Sequence, residues 1–265
     1  MTLKFGNTTV PTTGTITYNG HNVKKVVYNG VTVWEKASGL SNVLEAAQTA
    51  ILLHGNQYES NSGYAEITKS NYPTLPSTYR ARAGFGSYLY LSAQQGTNNG
   101  TNWFNIGGLT TTATDKFTVE CIVMPSMNNY DGSYTELVFG TGSNPDAIWR
   151  LQVKCKSSTT GTAKVYNGAG TVINYQGTEG GVSTSDGWYH LAATYHGNNT
   201  WSFFVNGTKL GTFSYTGVST GYNFTFIHGV ASGGDMGGFD EIVVHSYDRY
   251  TANFTVQTEP YTISN

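Results

Sequence analysis

The sequence predicts an all-β protein of antiparallel strands, a sandwich or barrel with a small β-hairpin module ahead of it. Three observations carry this. From Ile51 onward, short β-branched or aromatic runs bounded by Gly, Asn or Ser follow one another with no helix-period stretch between them. Gly 33, Tyr 19 and Phe 12 crowd a chain of 265 residues that is only 38% hydrophobic, which is a turn-rich β composition. Parallel strands need crossovers of roughly a dozen or more residues, and the strand order leaves no pattern for them.

Residues 1–36 read as a self-contained run of hairpins, TGTITYNG, HNVKKVVYNG and VTVWEK. Asn19-Gly20 and Asn29-Gly30 suit the type I′ turn, whose two central residues need positive φ. Hairpins alone are marginal in water, so this module is expected to dock on a partner. Residues 37–49 form a linker with a short helix over Val43–Ala50, capped by Ser41 or Asn42. Residues 50–265 form the main domain. Its strands alternate cleanly: Trp201, Phe203 and Val205 share one face, and Val205-Asn206-Gly207-Thr208 closes a hairpin.

Charged residues make up 11% of the chain and the formal net charge is −2, from 14 Lys+Arg and 16 Asp+Glu. With no basic block, nucleic acid is not an expected partner. No apolar run reaches the roughly 18 residues of a membrane-spanning helix, so no membrane partner is expected. Met1–Asn7 shows no cationic flank leading into an apolar run, so no secretory signal is expected. Cys121 shares a face with Phe117, Val119 and Val123, and Cys155 with Trp149, Leu151 and Val153. Both read as buried thiols, with a disulfide as the alternative.

The second half carries recognisable motifs. Asp186-Gly-Trp-Tyr-His-Leu-Ala-Ala-Thr-Tyr, Trp201-Ser-Phe-Phe-Val-Asn-Gly-Thr and Gly237-Gly-Phe-Asp-Glu-Ile-Val-Val-His resemble three consecutive strands of laminin-G-like, concanavalin A-like domains. Ile51-Leu-Leu-His-Gly-Asn, Arg82-Ala-Gly-Phe-Gly-Ser-Tyr-Leu-Tyr-Leu and Lys116-Phe-Thr-Val-Glu-Cys-Ile-Val-Met-Pro resemble the opening strands in the same order. The resemblance spans about residues 50–262 and implies a two-sheet jelly-roll sandwich. The ending from Asp248 to Tyr261 resembles the subgroup found in bacteriophage virion proteins, and VKKVVYNGVTVWEK resembles a short module of phage structural proteins.

This fold also hosts glycoside hydrolases, which need two carboxylates about 5–9.5 Å apart. The Glu-x-Asp-x-x-Glu strand of hydrolase relatives has no counterpart here, and the adjacent Asp240 and Glu241 are expected on opposite strand faces. The six histidines, His21, His54, His190, His196, His228 and His245, show no paired zinc-ligand spacing, and His190 reads as structural. The glycine-rich stretch from Gly229 precedes a strand and reads as a loop. The resemblance implies a structural calcium held by Asp240 and the Asn56–Asn61 loop. Asn56 and Asn61 stand where Asp is more usual, and Glu59 is the loop's carboxylate.

Sugar recognition calls for aromatic platforms beside amides and hydroxyls. The candidates are Trp103, Asn128, Asn129, Tyr130, Asp131, Tyr134 and Tyr222; Trp149, Trp188 and Trp201 read as core. The expected function is a non-enzymatic bacteriophage virion surface protein, a decoration, fibre or tail component. Its N-terminal module would dock on other virion proteins, and its lectin-like domain would bind glycans of a bacterial surface or mucus with the avidity of many copies. Assembly in the host cytoplasm fits the absent signal. The alternative is a structural cementing protein that binds no sugar; a glycoside hydrolase ranks last. Uncovered strand edges suit a homo-oligomer.

Overall fold

The computed structural model describes, before residue 110, the strands and His54, and beyond it residues 115–126, 132–141, 146–157, 159–167, 172–176, 182–215, 222–229 and 236–264. It divides into two compact units, Met1–Ser41 and Asn42–Asn265. In the first unit β1 (Lys4–Phe5) pairs with β2 (Thr8–Thr9), β3 (Ile16–Tyr18) with β4 (His21–Val23), and β5 (Lys25–Tyr28) with β6 (Val31–Glu35). Tyr18 faces His21 and Tyr28 faces Val31. Asn19-Gly20 and Asn29-Gly30 themselves lie outside the described residues.

The second unit contains β7 (Val43–Glu45), β8 (Thr49–Leu53), β9 (Glu66–Lys69), β10 (Thr74–Ser77), β11 (Tyr88–Ser92), β12 (Thr101–Leu109), β13 (Phe117–Met124) and β14 (Tyr134–Thr141). It continues with β15 (Asp146–Cys155), β16 (Thr160–Asn167), β17 (Val172–Gln176), β18 (Val182–Ser183), β19 (Tyr189–Tyr195), β20 (Thr200–Val205), β21 (Thr208–Ser214), β22 (Tyr222–Gly229), β23 (Met236–His245) and β24 (Thr262–Ser264). One antiparallel sheet runs β10-β11-β23-β13-β19-β20-β21, with β8 also on β23. The other runs β17-β16-β15-β14-β22-β12-β9, with β18 on β16. This is the all-β, two-sheet jelly-roll sandwich the motifs imply.

Both sheets turn one face inward because their residues alternate. Val119, Cys121, Val123, Leu191, Ala193, Phe203 and Val205 from the first sheet meet Leu137, Phe139, Trp149, Leu151, Val153, Phe224 and Phe226 from the second. The centre is aromatic. Trp149 packs edge-on to Trp201 at 5.1 Å between centroids and stacks on Phe139 at 5.7 Å. Trp149 and Trp201 are buried in this core, as their strand positions predict, and Trp188, just ahead of β19, is buried outside it. Cys121 and Cys155 are buried thiols on different sheets, and Cys155 Sγ donates to the Ser157 carbonyl at 3.1 Å.

The helix expected over Val43–Ala50 does not form. Val43–Glu45 instead pairs in parallel with Thr262–Ser264, and Thr49–Leu53 lies along β23. An eight-residue helix is marginal by itself, whereas Ile51, Leu52 and Leu53 all become buried in the strand. The sandwich hairpin at Asn206-Gly207 does form: φ is 48° and 74°, and Val205 faces Thr208.

Candidate functional site

On β14, β15 and β16 the residues that alternate with the core stand on the outer face of the second sheet. Cross-strand register sets Tyr134 opposite Lys154, Glu136 opposite Gln152, Gln152 opposite Lys164, and Arg150 opposite Tyr166. Directly opposed residues have Cβ atoms about 5 Å apart, so these side chains form one patch. Gln152 is its centre: Nε2 donates to Glu136 Oε1 at 2.7 Å, and Oε1 accepts from the Tyr166 hydroxyl at 3.1 Å. Glu136 is buried, which pushes its carboxyl up, while the Gln152 hydrogen bond and the Arg150 charge oppose the rise. Tyr134, Arg150, Lys164 and Tyr166 are half-buried and Lys154 is exposed. Tyr134 packs beside Val138 and Ile227. An aromatic at each end of an amide–carboxylate relay can offer ring faces to apolar C–H surfaces and acceptors to hydroxyl groups.

Glu136 has no second carboxylate within reach on these strands. Asp146 opens β15 opposite Thr141, five residues along β14 from Glu136, or about 17 Å at strand rise. That is beyond the separation either hydrolytic mechanism uses.

The outer face of the first sheet is built differently. Glu120 of β13 is fully buried there. It takes hydrogen bonds from His190 Nε2 at 2.6 Å, His245 Nε2 at 2.5 Å and the Tyr250 hydroxyl at 2.5 Å, with Arg249 Nε at 3.6 Å. Burial alone would raise the Glu120 carboxyl, but the His190 and His245 hydrogen bonds hold it well below the usual carboxylate range. Burial lowers His245. The segment after β23 supplies the cover: Phe254 stacks on Tyr250 at 3.7 Å, and its N–H donates to the Gly207 carbonyl at 2.9 Å. Strand alternation places Glu120 outside the core, and nothing in the strand itself signals that a later segment seals it. His190 is buried in this network, with Nε2 on Glu120 and Nδ1 without a partner among the described residues.

A cleft of about 340 Å3 lies at one end of this sheet, lined by Asp186, Trp188, His190 and Asn206 among others. Asp186 and Asn206 in it are already engaged, while the buried Tyr189 hydroxyl and His190 Nδ1 have no hydrogen-bond partner among the described residues. Asp186 Oδ1 accepts from the Trp188 N–H and the Thr184 hydroxyl, and Asn206 bonds the His190 N–H and the Ser183 carbonyl.

The family model for the concanavalin A-like lectin/glucanases superfamily, of laminin G type, matches residues 98–251, more than half of the chain. The chain belongs to this superfamily. Among solved structures, this concanavalin A-like chain is similar to the Emp47p carbohydrate recognition domain, with a TM-score of 0.53 and 11% identity over 77% of this chain and 99% of that one. It is also similar to a carbohydrate esterase of the Shiga toxin-encoding bacteriophage phi24B, at TM-score 0.53 and 11% identity over 75% and 98%. A third is the binding domain of Paraclostridial Mosquitocidal Protein 1, at TM-score 0.50 and 11% identity over 76% of this chain and 49% of that one. At such identity these likenesses show the fold. No curated protein matches in sequence.

Of the site residues expected in this concanavalin A-like domain, Tyr134 lies on the outer patch. Trp103 takes the register position opposite Ile227 on β12, and Tyr222 the one opposite Leu109. Asn128, Asn129, Tyr130 and Asp131 lie outside the described residues, as do Asn56 and Asn61. Asp240 is buried, and its Oδ1 accepts the Glu241 N–H at 2.9 Å. Register corrects the expectation that Asp240 and Glu241 oppose each other. Ile122 faces Asp240 but Glu120 faces Val243, and Glu241 has φ 49°, so a β-bulge inserts one residue. Both carboxylates then lie between the inward Phe239 and Ile242. Glu241 is spent on His54 Nδ1 at 2.6 Å and the Tyr261 N–H at 2.5 Å. Among the described residues no group of three or more acidic, His or Cys side chains is placed to hold a metal.

Sequence reasoning missed Glu136, Arg150, Gln152, Lys154, Lys164 and Tyr166. Alternation put each of them outside the core, but only the strand register groups them.

Proposed function

We propose that the chain is a non-enzymatic carbohydrate-binding protein of a bacteriophage surface, and that it holds its glycan on the outer face of β14, β15 and β16. The observation that carries this reading is the Tyr166–Gln152–Glu136 relay, flanked by Tyr134 and Tyr166 rings on a face that holds a single carboxylate near its centre. Two solved neighbours with a TM-score of 0.53 are a carbohydrate recognition domain and a phage carbohydrate esterase. The likeness of the 248–261 segment and of the N-terminal hairpins to phage structural proteins favours a particle role. The hairpin unit would dock on other virion proteins.

The test is a glycan-array screen of multimerised full-length protein beside Tyr134→Ala and Tyr166→Ala. Selective binding that both variants lose supports the reading. Binding left intact in both moves the site elsewhere, and no binding by well-folded protein leaves a particle-cementing role.

A further inference from the structure

Arg150, Lys154 and Lys164 surround Gln152. Arg150 and Lys154 stand two residues to either side of it on β15, and Lys164 is directly opposite on β16. The cations therefore span about 13 Å along one strand. Among the described residues neither lysine has an ion-pair or hydrogen-bond partner, and Arg150 Nε is buried with no acceptor. Glu136 is the one described carboxylate close to this triad, so the patch is locally cationic in a chain of net charge −2.

We propose that this face takes an acidic saccharide, a glycan chain bearing carboxylate or sulfate groups. The proposal rests on the carbohydrate reading of the same face and names its ligand class. Arg150 supplies a forked donor set for a planar anion, and Lys154 and Lys164 act as point charges along the chain. Glu136 and Gln152 accept from sugar hydroxyls between the charges. That feature separates a saccharide from DNA, whose backbone offers no donors to a carboxylate.

The experiment measures binding of the full chain to polygalacturonate, dextran sulfate, neutral dextran and duplex DNA, at low and high salt. Either acidic polymer, or both, should bind in preference to dextran, and which one binds separates carboxylate from sulfate recognition. Salt should weaken that binding strongly, because screening acts over about 10 Å at 0.1 M and about 3 Å at 1 M. The surface double variant Lys154→Glu/Lys164→Glu should lose at least about tenfold in affinity for the acidic polymer, the worth of one charged contact. Arg150→Lys, which keeps the charge but not the fork, should also weaken it.

Equal binding of dextran and acidic polymers, or unchanged affinity in the double variant, overturns the proposal. DNA bound as tightly as the acidic glycans overturns the saccharide assignment. If a neutral glycan binds and Tyr134→Ala abolishes it while the charge variants do nothing, the acidic specificity fails and the glycan site stands. If the folded chain binds no glycan, both fail.

Discussion

Replacing Glu120 with Gln tests whether the sealed face of the first sheet holds the domain together. The substitution keeps the shape and removes the charge that accepts from His190, His245 and Tyr250 and faces Arg249 at 3.6 Å. Arg249 is then left 5% exposed beside a neutral amide. Removing one partner of a buried ion pair costs about 3–5 kcal/mol. In a domain of this size each kcal/mol moves the midpoint by about 2–4 °C, so the loss in Tm is roughly 6–20 °C. The assay is thermal unfolding of the full chain across pH. Glu120 has a depressed folded-state pKa, so its stabilisation is present above the unfolded value and is lost progressively as pH falls below that value toward the depressed folded one. His245 is also depressed, and its Nδ1 has no partner, so protonating that atom would bury an unpaired donor. Its unfolded form takes up a proton near 6.5 while the folded form resists, so stability already begins to fall as pH drops below that value. His54 acts in the opposite sense. Its hydrogen bond to Glu241 raises it, and that contribution is lost as pH rises, though its exposure keeps the effect small. The deficit of Glu120→Gln should thus be widest near neutral pH and narrow toward pH 4. A Tm within about 2 °C of the parent at neutral pH, below the smallest loss worked out here, would refute the reasoning.

Gly207→Ala should destabilise by about 2–4 kcal/mol in urea unfolding. A Cβ there would lie 2.0 Å from the Phe254 carbonyl oxygen, and φ is +74°; an unchanged midpoint would show that the covering segment can yield. Tyr166→Phe keeps the ring and loses the hydroxyl that donates to Gln152, so glycan affinity should fall by about 1 kcal/mol in titration calorimetry. Equal affinity would remove Tyr166 from the relay. Burial pushes the Cys121 thiol well above its ordinary value, so a thiol reagent should modify it only on unfolding, and rapid labelling of native protein would contradict that. If Asn56, Asn61 and Asp240 hold calcium, chelation lowers the melting temperature and added calcium restores it; an identical midpoint with and without chelator rules the ion out.

The inner faces were legible because burial imposes a period of two, which Trp201-Ser-Phe-Phe-Val and Phe117-Thr-Val-Glu-Cys display in their own letters. The Asn206-Gly207 hairpin was legible because positive φ at two successive positions admits few residues. Val43–Glu45 was not, since its parallel partner lies more than two hundred residues away and local propensity cannot see it. The same limit hid the outer faces. Glu120 looks like a solvent-facing residue until Tyr250 and Phe254 cover it. Arg150, Lys154 and Lys164 look like scattered charges until register draws them around Gln152. Asp240-Glu241 follows strict alternation only without the bulge, and no sequence signal marks Glu241 as the residue with positive φ.

The two outer faces also explain each other. On the first sheet both Glu120 oxygens are occupied, one by His190 and Tyr250 and the other by His245, and Phe254 and Tyr250 stack across the opening. A ligand arriving there would have to break charge-assisted bonds worth more than it could form. On the second sheet the balance runs the other way. Among the described residues Lys154 and Lys164 hold no carboxylate, and the Gln152 relay is already oriented, so a ligand adds bonds without undoing any. Substitutions at Glu120 should therefore lower stability and leave glycan affinity per folded molecule unchanged, while substitutions at Lys154 and Lys164 do the reverse. A Glu120 variant that folds yet binds differently would show that the two faces are coupled through the shared core.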